Sequence, residues 1–386
     1  MNRTFDRFRS PPVLALGFRP FFLLAALFAV VSMVIWGSVL AAHGPALGPL
    51  WHGHEMLFGY AGAVIAGFVL TAASNWTGRS TLTGSALAAI VLVWVAARIV
   101  VPMSVVPDGV KAALCAGFYV FLALGVGRPI IATRGRRNYG VVLVLLAFAV
   151  LELYFWLMPV IRSRVLVATL MFVMVMIAVI GGRVIPAFTR NATSGLNVRS
   201  GGQWRDRIAI ASLVAFGVFV LCPASPSWLL AAFAAIGAVT HALRMQGWGA
   251  AATARRPILW VLHLAYLFLP VGLGLYAALY FGAAVPPWVP LHVLAVGVLG
   301  IMTLGMMTRV SLGHTGRVIT AGRLTTLSYL LLVAALISRG FGGWLEGSGW
   351  KVAMIAAAGL WTLAFLVFLV VYVRVLMEPR PDGRPG

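Results

Sequence analysis

This chain is poor in acid and in cysteine. Of its 386 residues only eight are Asp or Glu and two are Cys, and charged residues of both signs make up 10%. A soluble domain carries about 25% charged residues, so a composition that is 62% hydrophobic, with mean hydropathy +1.00, excludes that class. Cys115 and Cys222 sit in apolar runs without CxxC or framework spacing, and buried packing is the expectation for each. There is no phosphate-binding loop, no nucleophile elbow and no CxxCH attachment site, so any haem is non-covalent. The net charge of +21 would point to nucleic acid in a soluble protein. Here the cations are nearly all Arg, placed between apolar runs with no basic helix or aromatic–Arg repeat. That pattern speaks for membrane lipid around the chain and for no nucleic-acid partner.

Long apolar runs are what the chain has. A helix needs about 20 such residues to cross the hydrocarbon core. Twelve segments qualify, at roughly 21–42, 54–73, 84–101, 110–127, 139–159, 164–184, 207–223, 227–244, 257–281, 288–309, 323–339 and 351–374. Gly44-Pro45, Thr77-Gly78, Pro107-Asp108-Gly109, Pro223, Pro226, Pro286-Pro287 and Gly342-Gly343 punctuate them. The expected fold is an all-α polytopic membrane protein of about twelve transmembrane helices, one integral domain over 1–386. The first run is too long for a cleavable signal core of about 7–15 residues and reads as an uncleaved span. Of the 29 basic residues, 23 fall in the N- and C-terminal tails and the even-numbered loops, and six on the other side. This places both termini in the cytoplasm. His43, His52, His54 and His292 then lie toward the outer face, and His241, His263 and His314 toward the inner one.

Polar side chains concentrate at Leu50-Trp-His-Gly-His-Glu-Met-Leu-Phe-Gly-Tyr60, at the mouth of the second span. Metal-capable groups at the edge of hydrocarbon are costly unless satisfied, and a haem or copper ligand is the reading that satisfies them. His52 and His54 stand about 200° apart on a helix. They chelate one metal together only if Gly53 breaks the helix; otherwise they serve different centres. Glu55 suits the positive end of a helix dipole, or acts as a proton carrier or a partner that orients a ligating His. Met56 reads as packing rather than a copper ligand.

Residues 54–79 align without a gap on 292–317, at an offset of 238. His54 matches His292; Gly59, Gly62 and Gly67 match Gly297, Gly300 and Gly305; Thr77-Gly-Arg79 matches Thr315-Gly-Arg317. The glycines predict close helix approach. A shared origin for helices two and ten presents two imidazoles at one membrane depth, as axial ligation of a haem iron requires. The plainer alternative is that each His caps its helix or bonds a neighbour. His241 and His263 form a second candidate pair across a short loop, with Arg244, Arg255 and Arg256 near for an anion. His314 and His43 read as exposed turn residues.

Trp51-His-Gly-His-Glu-Met-Leu-Phe-Gly59, Asn75-Trp-Thr-Gly-Arg79, Gly182-Arg-Val-Ile-Pro186 and Gly305-Met-Met-Thr-Arg-Val-Ser-Leu-Gly-His-Thr-Gly-Arg317 resemble the NnrS family along essentially the whole chain. Ser74 stands where a Pro before Asn75 is expected. The resemblance implies a bacterial inner-membrane protein of about twelve spans that contains haem and copper and acts in the nitric-oxide and nitrosative-stress response. Whether it turns over a substrate, and from which electron donor, is left open. By analogy, haem–copper oxidase subunit I also has twelve spans in an internally repeated arrangement, with haem-ligating histidines on helices two and ten. Its three-His copper site is missing here, because helix seven has no His and helix ten has one. On that analogy His52 and His43 are outer copper candidates, with His241 and His263 as the inner alternative. Two other readings stand beside this one: a nitric-oxide or oxygen reductase with true turnover, and a metal or small-anion transporter built on the repeat.

Overall fold

The computed structural model describes residues 11–44, 47–193, 196–199 and 202–384. Twelve principal helices stand where the twelve apolar runs stand: α1 (Phe18–Leu40), α2 (Pro49–Thr77), α3 (Gly84–Val100), α4 (Asp108–Ala132), α5 (Tyr139–Leu157), α6 (Arg162–Ala192), α7 (Gln203–Phe219), α8 (Ser227–Met245), α9 (Pro257–Tyr280), α10 (Trp288–His314), α11 (Arg323–Phe341) and α12 (Gly347–Met377). No strand occurs among the described residues. Ten are long and apolar enough to cross a membrane. The other two, α3 and α7, have 17 residues each, about 25 Å at 1.5 Å per residue. The chain is an all-helical polytopic membrane protein.

Several helices extend beyond their apolar cores. Pro49 opens α2, where its missing N–H costs nothing, so His52, Gly53 and His54 are all helical. Helix α6 continues through Pro186 to Ala192, and α10 continues to His314. Helix α7 lies some four residues earlier than the expected 207–223, because Pro223 and Pro226 hold the intervening residues in turns. The ends of the chain meet: Arg19 Nη1 donates to the carbonyls of Leu376 and Glu378 at 2.9 and 2.8 Å. The start of α1 and the end of α12 thus share one end of the bundle, which requires an even number of crossings.

The helices form three groups of four. The broadest helix contacts include α4 on α5, α8 on α9 and α12 on α1, which close the groups into a ring. Within the ring, α2, α6 and α10 face one another across an apolar cavity of about 70 Å³, lined by Val64, Phe68, Met176, Ile180, Met302 and Met306 among others.

The repeat seen in the sequence recurs in conformation and in packing. Both α2 and α10 turn from α- to π-helix directly after their histidine, at Glu55–Tyr60 and Val293–Gly300. Gly78 and Gly316 then end them with φ of +65° and +70°, the left-handed cap that glycine adopts freely. A Cβ on Gly59 would meet Phe28 of α1 and Arg98 of α3; on Gly297 it would meet Phe268 of α9 and Leu336 of α11. A Cβ on Gly62 would strike Tyr119 of α4, and on Gly300 Trp361 of α12. Gly67 admits α1 and Gly305 admits α9. Helices α1–α4 and α9–α12 are therefore equivalent units, wider than the pair of helices that the sequence alone relates.

Candidate metal centre

The π-helical turn of α2 rotates the residues after His54 and frees carbonyls that a regular helix would bond internally. Side chains take them up: Tyr119 Oη donates to the Phe58 carbonyl at 3.0 Å and Trp94 Nε1 to the Gly59 carbonyl at 3.1 Å. These bonds pin α3 and α4 against the turn and fix what it carries inward.

It carries His54, which is fully buried. Its Nδ1 lies 2.8 Å from Glu55 Oε1 and its Nε2 lies 2.9 Å from Glu152 Oε2 on α5. Arg98 Nη1 donates to both oxygens of Glu55 at 2.8 Å, and Arg98 Nη2 points at Cys115 Sγ at 3.8 Å. Phe155, Phe58 and Trp156 pack on the imidazole with centroids 4.7, 5.1 and 5.2 Å away. Removing either member of a buried ion pair costs about 3–5 kcal/mol, so Arg98 and Glu55 hold each other in place.

One nitrogen of His54, the sulfur of Cys115 and one oxygen of Glu152 lie within 4.8 Å of one another, and all three residues are buried. Glu152 Oε1 is buried without a hydrogen-bond partner. Nitrogen, sulfur and carboxylate donors around one point, with a carboxylate oxygen left over, fit a copper or zinc ion. Glu55 would then orient His54 through Nδ1, leaving Nε2 for the ion. The charges also suit: with Arg98, two carboxylates and a thiolate, a divalent ion brings the sum to zero.

The remaining candidates lie apart from this cluster. His52 points elsewhere than His54, with its ring stacked 4.7 Å from Trp36, so the two do not share an ion. His292 gives Nδ1–H to the Trp288 carbonyl at 2.7 Å, and no described contact joins it to His54. His43 is exposed in the turn after α1. His241 Nδ1 accepts from Tyr266 Oη at 2.9 Å; Arg244 donates to that same oxygen at 2.7 Å and to Asp206 at 2.6 Å. His263 Nε2 bonds Thr189 Oγ1 at 2.9 Å. Both rings flank Tyr266 and Trp248 without touching one another. Gly182 leaves the space that the Arg244 guanidinium fills.

Two expectations need correction. His314 is the half-buried last residue of α10, held beside Phe18 with its carbonyl bonded by Arg380, and not a free loop residue. Cys222 is exposed, because the prolines that follow keep it in a turn. Cys115 is buried in the core, as expected, and also lies beside ionisable groups. Glu152 and Arg98 were absent from the sequence-based set. The signal was there, since each is an ionisable residue inside an apolar run, and such residues mark sites.

A model of the NnrS protein family matches residues 12–380. None of the curated proteins searched matches the chain.

Proposed function

Because this chain belongs to the NnrS family, we propose that it is a metal-containing protein of the bacterial inner membrane that acts in the nitric-oxide response. We further propose that His54, Cys115 and Glu152 hold its copper. The observation that carries the metal assignment is the convergence of those three buried donors with an unpartnered Glu152 oxygen. Bound copper would supply one-electron chemistry and an affinity for small diatomic ligands. The protein's own part is to hold the donors, to orient His54 through Glu55 and to keep water out with Phe155, Phe58 and Trp156. The apolar cavity between α2, α6 and α10 suits a small apolar ligand such as nitric oxide, since apolar cavities stay dry.

The surroundings of His54 do not fit a haem. Both ring nitrogens are engaged by carboxylates and aromatic rings pack on the imidazole. A cofactor that large needs a site of about 300–1,000 Å³, whereas the cavity between α2 and α10 measures about 70 Å³ and no histidine lines it.

Metal and optical analysis of the purified protein tests both halves. Copper close to one per chain is expected, lost in Cys115→Ser and Glu152→Gln and kept in His241→Ala and His263→Ala. Copper retained in both the Cys115 and Glu152 variants would end the assignment. A Soret band present in the wild type and lost in both His54→Ala and His292→Ala would restore an axial haem pair between α2 and α10.

A further inference from the structure

The two repeat units differ at one position with an electrostatic consequence. In α1–α4 the buried Arg98 is neutralised by Glu55, the residue after the repeat histidine. In α9–α12 the position after His292 is Val293. Leu336 of α11 occupies the place of Arg98 against the repeat glycine, and the arginine stands one turn on, at Arg339. This unit therefore keeps an arginine but has no acid beside it.

Packing directs Arg339 to the start of α10. Leu336 clusters with Val289 and Val293, and a Cβ on Gly343 would touch Val289 and Trp288. Leu336 lies one turn before Arg339 on α11 and Gly343 lies in the short 3-10 turn that follows the helix, so Arg339 lies between two points where this segment meets α10 on either side of His292. Arg339 lies within charge–charge reach of both His292 and His52, and His52 within reach of His292.

Each member of this group has an unused polar atom. Arg339 Nη1 and His52 Nδ1 are buried without hydrogen-bond partners. His292 has committed Nδ1 to the Trp288 carbonyl, so Nε2 is its remaining nitrogen. No acid among the described residues pairs with Arg339. Glu55, Asp108, Glu152, Asp206, Glu378 and Asp382 are engaged with other cations, and Glu346 is exposed. The dipole at the end of its own helix stabilises a cation only weakly and does not offset the cost of burying the unpartnered Nη1.

We propose that His52, His292 and Arg339 form a binding site for a carboxylate-like oxyanion, which stands where Glu55 stands in the other repeat unit. Arg339 supplies the charge and the two imidazoles orient the anion's oxygens. Two sources share this chemistry: a free small anion such as nitrite or formate, and a carboxylate of a larger group bound to the protein. The site is separate from His54, Cys115 and Glu152, so it stands or falls independently of the copper assignment.

The test uses detergent-purified full-length protein with nitrite and formate as probes. The readouts are the thermal midpoint, Trp36 fluorescence (its indole stacks on His52), and mass spectrometry of co-purifying small molecules. The variants are Arg339→Gln, Arg339→Lys and Val293→Glu, the last rebuilding the acid of the first repeat unit within the chain. If the anion is free, nitrite and formate raise the wild-type midpoint. Arg339→Gln then weakens the effect at least tenfold, Arg339→Lys retains part of it, and Val293→Glu abolishes it in a folded protein. If the anion belongs to a bound group, the probes leave the wild type unchanged and both Arg339→Gln and Val293→Glu release that group. Either pattern supports the site. Identical behaviour of wild type, Arg339→Gln and Val293→Glu in all three readouts overturns it, and copper content, expected to stay constant throughout, keeps this result apart from the metal assignment.

Discussion

At the scale of single residues, the chain uses its few acids sparingly and in pairs with cations or imidazoles. Glu55 meets Arg98 and His54, and Glu152 meets His54, all out of water. Arg98→Leu strands Glu55 as a buried, uncompensated charge at a cost of about 3–5 kcal/mol. It is expected to lower sharply the yield of monodisperse protein on size-exclusion chromatography. Arg98→Leu combined with Glu55→Leu removes both charges and should recover most of the loss. A double variant no better than the single one would show that the pair is not what the fold depends on. His54 and Glu55 were legible in the sequence because two histidines and an acid in four residues are conspicuous at a membrane edge. Cys115 and Glu152 were not, since each is alone in its own apolar run. They become a site only when α4 and α5 bring them to α2.

At the scale of elements, the glycines of α2 and α10 do work that an open helical glycine such as Gly274 does not. An exposed Gly→Ala change inside a helix gains about 1 kcal/mol in propensity, whereas overpacking a tight contact costs about 1–3 kcal/mol. The structure says which term wins at each position. At Gly62 the added methyl would strike the Tyr119 hydroxyl, and at Gly300 it would lie 2.5 Å from Trp361; at Gly274 it would meet nothing within 4 Å. Thermal unfolding should therefore show Gly62→Ala and Gly300→Ala destabilised by several degrees, and Gly274→Ala unchanged or slightly stabilised. Equal effects at all three would contradict this account of the packing. The glycine spacing and the offset of 238 were readable as a pattern in sequence. The π-helical turn of α2 was not, because Tyr119 and Trp94 arrive from other helices to donate hydrogen bonds to its freed carbonyls.

At the scale of the molecule, closing three four-helix groups into a ring places α12 against α1. A Cβ on Gly37 would lie 3.7 Å from the Ala358 Cβ, close to the roughly 3.8 Å mean of disulfide-bonded pairs. Gly37→Cys with Ala358→Cys should cross-link under mild oxidation, so that protease-nicked halves stay together until reduced. Failure to cross-link would open the ring. The cavity between α2, α6 and α10 offers a second measurement: xenon should bind there, and Met302→Trp should exclude it by filling the space. An all-helical bundle follows from hydrophobic length, which ten of the helices meet, since in lipid a helix is the only open segment that satisfies its own backbone.

Sequence by itself thus determined the all-helical membrane fold, the existence of the α2–α10 repeat and the importance of the Trp51–Tyr60 stretch. Each is written in local periodicity or in identical spacing. Which groups share a site was decided by tertiary structure alone. His54 finds Cys115 on α4 and Glu152 on α5, and Glu55 finds Arg98 on α3. The physical reason is that a buried charge in a low-dielectric interior is stable only beside its complement. Where that complement lies is a matter of how helices far apart in the chain pack together.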